Sequence, residues 1–172
     1  QGLVGVFDVF MLWLWGYGVY LLMRQYKYGR SRIRFASFPF FAGKVFAVDW
    51  TVDKGLGDYN YIVFTLRCVE EVLERSGRGE NAGLKWVRYQ TCAFTFEVEG
   101  PGRHEGGSAV PVAFPLPHSA RGTDMTGEVP RYWELEVHAG TPGVDFRAAY
   151  LVPIYRVPRR APDRRAGGVA SR

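Results

Sequence analysis

The sequence is poor in the residues that metal and nucleophile chemistry need. It has only two cysteines, Cys68 and Cys92, and three histidines, His104, His118 and His138. The cysteines stand in no CxxC, and no histidine pair has ligand spacing, so a metal centre is not expected. No GxSxG surrounds a serine, which removes the nucleophile elbow. The Gly-rich stretches GRGENAG (77–83) and GPGRHEGG (100–107) do not follow a strand and open a helix, so neither is read as a phosphate cradle. Glu70, Glu71 and Glu74 cluster in sequence, in the manner of a solvated strand edge rather than an acid–base pair. No catalytic residue and no cofactor are therefore expected, and the chain is not read as an enzyme. Two cysteines in strand-like alternation read as buried reduced thiols, with a single Cys68–Cys92 bridge as the alternative for an exported domain.

One long apolar run is present. Leu3 to Met23 is 21 residues with a single charge, Asp8. An apolar helix of roughly 20 residues matches the ~30 Å hydrocarbon core of a bilayer, so the run is expected to be a single transmembrane helix. It is too long for a secretory leader, and its charges lie on the wrong side. Asp8 is read as interfacial or helix-packing, with an intramembrane proton site as the other reading. Gly16 and Gly18 lack the small-xxx-small spacing of a helix-dimer face. Five cations follow: Arg24, Lys27, Arg30, Arg32 and Arg34, interleaved with Tyr26 and Tyr28. Cations and aromatics at one end of an apolar helix form an interfacial anchor, and they place the following domain on the cytoplasmic side of the inner membrane. The chain starts at Gln1 rather than Met, so residues upstream, as part of a helical hairpin or an N-out anchor, are expected.

The net charge of +5 comes from 22 cations and 17 anions. Eleven of the cations lie in residues 24–34 and 156–172, which leaves residues 35–155 with eleven cations against fifteen anions. A negative body with basic ends argues against nucleic acid and for a lipid bilayer as a partner, since anionic lipid attracts such cations. The tail RVPRRAPDRRAGGVASR (156–172) has no apolar periodicity and is expected to be disordered.

After Met23 no amphipathic helix pattern and no repeat appear. The chain instead alternates with a period of two, which means strands with one buried face. Seven strand candidates are separated by turn sequences such as DKGLGD (53–58) and TPG (141–143). That profile predicts an all-β, approximately seven-stranded antiparallel sandwich over residues 33–155, after an anchor and collar over 1–32. Phe64, Leu66, Phe94, Phe96, Phe114, Trp133, Leu135, Phe146 and Tyr150 are its expected core. Tyr59, Tyr61, Trp86 and Tyr89 are candidate aromatics of a binding face, packing being the alternative reading.

From Val110 to Tyr155 the chain reads VPVAFPLP, a polar loop with Gly127, RYWELEVHA and PGVDFRAAYLVPIY. These segments resemble the strands of an arrestin-like sandwich. With the apolar anchor and basic collar, the chain resembles uncharacterised bacterial membrane-anchored proteins with an arrestin-like β-sandwich domain. The resemblance implies an immunoglobulin-like or arrestin-like topology and supplies no catalytic residues. The functional expectation is a membrane-tethered interaction module that docks another protein. The alternatives are an accessory subunit of a membrane enzyme or transport complex, or an exported envelope domain.

Overall fold

The computed structural model describes residues 2–76 and 83–157, with side chains from Asp8 onward and excluding that of Ser76. A helix, α1 (Gly2–Tyr28), is followed by β1 (Ser31–Phe35), β2 (Phe40–Phe41), β3 (Val45–Val52) and β4 (Gly55–Ser76). The chain continues through β5 (Gly83–Glu105), β6 (Ala109–Pro115), β7 (Arg131–Gly140), β8 (Phe146–Val152) and β9 (Ile154–Tyr155). The basic tail from residue 158 onward lies outside the described residues.

Two sheets face each other, ordered β1-β3-β6 and β5-β4-β7-β8. Neighbours within each are antiparallel. A two-stranded parallel pair, β2 with β9, joins the start of the sandwich to its end. The all-β sandwich is thus as expected, but the described residues hold nine strands rather than seven, and one pairing is parallel. The two extra strands are only two residues long, too short for an alternation to register.

The core sits between the sheets. In β3, Phe46, Val48, Trp50 and Val52 all point inward and are buried, while Val45, Ala47, Asp49 and Thr51 are not. Trp50 packs edge-on against Phe64 and Phe146, at 5.5 and 5.4 Å between ring centroids. Both buried indoles are satisfied, since Trp50 Nε1 donates to Tyr150 Oη at 3.2 Å and Trp133 Nε1 to the Arg121 carbonyl at 2.8 Å. Eight of the nine expected core positions are buried or packed against the core. Phe96 is the exception, 38 % exposed. It lies on β5, the edge strand of the four-stranded sheet, where the three-stranded sheet opposite leaves the inner face partly uncovered.

Two other expectations change. GPGRHEGG was expected to break the strand, yet β5 runs through Gly100–Glu105, where a register shift between Tyr59 and Tyr61 accommodates one extra residue. The apolar run is helical, but among the described residues no helix is long and apolar enough to cross a membrane, which corrects the transmembrane expectation. The physical reason is composition. Asp8 sits near its start, and Trp13, Trp15, Gly16, Tyr17, Gly18 and Tyr20 displace aliphatic side chains through its middle.

Candidate functional site

Two surfaces stand apart from the packed body, at opposite ends of the long strand β4. At the first end, α1 is seated on the sandwich. Gly29 closes the helix in the left-handed region (φ 69°) and donates to the Gln25 carbonyl at 2.9 Å, as a glycine past a helix end does. Tyr28, in the last turn, is 1 % exposed, and its ring meets Phe146 edge-on at 5.2 Å. Its hydroxyl bonds to Thr141 Oγ1 at 2.5 Å and donates to the Val144 carbonyl. Lys27 Nζ donates to Thr141 Oγ1, the Pro142 carbonyl and the Val144 carbonyl at 3.0, 2.8 and 3.1 Å. Lys54, from the β3–β4 turn, reaches back to the Tyr26 carbonyl at 2.7 Å. Gly55 makes that turn possible: its φ is 74°, and a Cβ there would stand 2.5 Å from the His104 carbonyl oxygen.

Beyond this seat the helix is bare. Val9, Phe10, Leu12, Trp13, Trp15 and Leu22 are each more than half exposed, and they lie all round the helix rather than along one stripe. The five cations of the expected collar divide. Lys27 is spent on the β7–β8 turn. Arg24 is half-buried in a groove with Arg67, Glu136 and Arg147. Arg30, Arg32 and Arg34 remain exposed, with Arg32 in a loose pair with Asp53 at 3.4 Å.

At the other end, β4 parts from β7 after Glu70↔Arg131, while its pairing with β5 continues to Ser76↔Gly83. Residues 71–76 and 83–88 form a two-stranded arm, about 20 Å long at the rise of a strand. On one face Leu73 lies opposite Trp86, with Leu84 two residues on, and these are 44, 54 and 71 % exposed. On the other face Tyr89 donates to Glu74 Oε1 at 2.5 Å, a bond that raises the phenol pKa. The arm's root is held by charge. Glu70 accepts from Arg131 Nε at 2.6 Å and from Arg121 Nη1 at 3.1 Å, and the Arg131 hydrogen bond leads in holding its carboxyl below the usual range.

The four candidate aromatics do not converge. Tyr59 packs against the core, and Tyr61 lies against His138 at 5.6 Å between centroids, both near the helix seat. Trp86 belongs to the arm, and Tyr89, opposite Glu70 at the arm's root, lies on the other face of the same strand. Tyr59 and Leu73, the partner of Trp86, are fourteen positions apart on β4, about 46 Å at strand rise. Sequence reasoning also missed Tyr28, which resembles a collar aromatic until Gly29 marks the end of the helix. Leu73 and Leu84 were missed because a turn sequence stands between them. Among the described residues no three metal-ligating side chains gather.

The fold and these surfaces define a two-sheet β-sandwich that carries an N-terminal apolar helix and, at its far end, a projecting hairpin. No protein-family model matches the chain, and no curated protein matches it. Among solved structures it is similar to Spo0M, a sporulation control protein from Bacillus subtilis, with a TM-score of 0.43 and 15% identity over 73% of this chain and 48% of that one. The chain thus spans about half the length of that protein.

Proposed function

We propose that this chain is a membrane-associated, non-catalytic interaction module. Its apolar helix is buried in lipid, and its sandwich holds the hairpin arm away from the surface for a protein partner. The observation that carries this reading is the exposure of large apolar side chains on every side of α1, with nothing from the sandwich over them. Contiguous apolar surface of that extent marks an interaction site. Charge complementarity favours anionic lipid as its cover, since Arg30, Arg32 and Arg34 project beside the helix end. The same cations favour the cytoplasmic leaflet of the inner membrane. The arrestin-like reading of β6, β7 and β8 belongs to this proposal, as the frame on which the arm is mounted.

Vesicle flotation tests it. The full chain is expected to float with phosphatidylglycerol vesicles and less with phosphatidylcholine vesicles, the difference fading in high salt. Arg30→Glu with Arg34→Glu should reduce that difference, and Trp13→Ser with Trp15→Ser should weaken flotation on both. Equal flotation of these variants and the parent would end the lipid reading. A C-terminal reporter active only outside the cytoplasm would reverse the proposed side.

A further inference from the structure

Cys68 and Cys92 stand directly opposite one another in the β4–β5 register. Opposed residues of an antiparallel pair have Cα atoms about 4.5–5.5 Å apart, inside the ~4.4–6.8 Å that a disulfide spans. Both are free thiols on the inner side of the sheet, Cys68 within the core and Cys92 packed against it. Their access differs. Cys68 is 1 % exposed and Cys92 is half-buried. Both line a groove of about 380 Å³, shared with Thr91, Pro117, Ser119 and Arg121. The pair also has a distinctive place in the fold. A register shift falls between Cys68 and Val69, and β4 leaves β7 just beyond, at Glu70.

We propose that Cys68 and Cys92 form a thiol-exchange site whose substrate is a small disulfide, and that it closes into a cross-strand disulfide pinning the root of the hairpin arm. The Cys92 thiolate, reached through the groove, attacks one sulfur of the small disulfide. That S–S bond breaks, a mixed disulfide forms on Cys92, and one small thiolate leaves and takes up the proton Cys92 gave up. The Cys68 thiolate then attacks the Cys92 sulfur, the protein disulfide forms, and the second small thiolate leaves with the proton from Cys68. Two protein thiols lose two electrons and two protons in all, and the small disulfide becomes two thiols. Burial leads in raising the Cys68 thiol pKa, so the closing step quickens as pH rises. This site goes beyond the docking function and stands whether or not the helix meets lipid.

The test uses the full chain with oxidised glutathione as the probe, read by free-thiol titration and intact mass under denaturing, non-reducing conditions. The parent should lose both thiols together, with a mass lower by two hydrogens and no lasting glutathione adduct. Cys68→Ser should instead accumulate the adduct on Cys92, and Cys92→Ser should react far more slowly. Amide exchange in residues 71–76 and 83–88 should slow several-fold on oxidation. A parent that stops at the Cys92 adduct overturns the proposal. So does one that keeps both thiols until unfolded in urea, or one that yields only disulfide-linked dimers. Closure without slower exchange in the arm overturns the pinning.

Discussion

The two ends of β4 use aromatic side chains in opposite ways. At the helix seat, Tyr28 is enclosed and its hydroxyl has two partners, with Phe146 and Trp50 forming a chain of edge-on rings behind it. At the arm, Trp86 faces solvent with only its cross-strand neighbours for company. The same residue class therefore builds a joint at one end and a contact surface at the other. What separates them is the second sheet: β3 reaches the seat, and nothing from the three-stranded sheet covers the arm.

The largest expected effect probes the joint. Tyr28→Ala removes an enclosed ring and should lower unfolding stability by about 3–5 kcal/mol. Tyr28→Phe keeps the ring and should cost about 0.5–1.5 kcal/mol, the worth of a lost hydrogen bond, since Lys27 Nζ still meets Thr141 Oγ1 and the Val144 carbonyl. Urea unfolding followed by tryptophan fluorescence measures both, and a neutral Tyr28→Ala would show that the helix is not seated.

A second effect also belongs to the seat. His104 is 7 % exposed against Trp50, and neither ring nitrogen has a hydrogen-bond partner of ordinary geometry. Burial holds its pKa below the usual histidine range, and the Ser108 backbone opposes this only weakly. The unfolded chain therefore binds this proton more readily than the folded one. Stability should be unaffected above about pH 6.5 and should fall as pH drops from there to the depressed folded pKa, by up to ~1.4 kcal/mol per pH unit. His104→Leu should flatten that part of the urea-midpoint profile.

A third sits at the arm's root. Glu70→Gln weakens the bonds to Arg131 and Arg121 and should cost about 1–2 kcal/mol near neutral pH. The folded pKa of Glu70 is depressed, so its contribution is present above about pH 4.3 and is lost as pH falls through the lower folded value. The parent and the Gln variant should therefore converge at strongly acidic pH. The smallest effect is at the arm's tip, where Trp86→Ser or Leu84→Ser should change stability by no more than about 0.5 kcal/mol. A large loss there would mean that the arm is folded against the body.

The body was legible in the sequence because alternation is a direct image of a half-buried strand. Phe46, Val48, Trp50 and Val52 read off as one face, and so do Trp133, Leu135 and Val137. The seat was not legible, since Tyr28 is made into a core residue by Thr141 and Phe146, more than a hundred positions away. Length and low charge pointed α1 across a membrane, but glycines and polar aromatics cut its apolarity below that threshold. Among the site residues, Lys27 shows the limit most clearly. Its spacing in a run of cations says flank, while the carbonyls of Pro142 and Val144 make it a structural cation.

The parallel pairing of Phe40–Phe41 with Ile154–Tyr155 bears on how the domain takes mechanical tension. A pull applied between Pro39 and residue 157 enters β2 at its N-terminal end and β9 at its C-terminal end. Because those strands run the same way, their bonds are strained in shear, all at once, rather than peeled one by one. Ala42 N to the Tyr155 carbonyl at 2.9 Å and Thr123 N to the Ile154 carbonyl at 2.7 Å lie in the same small patch and share the strain. Two residues of strand thus act as a clasp on the C-terminal side, whereas a tug on the helix meets the seat and β1 before it reaches β2.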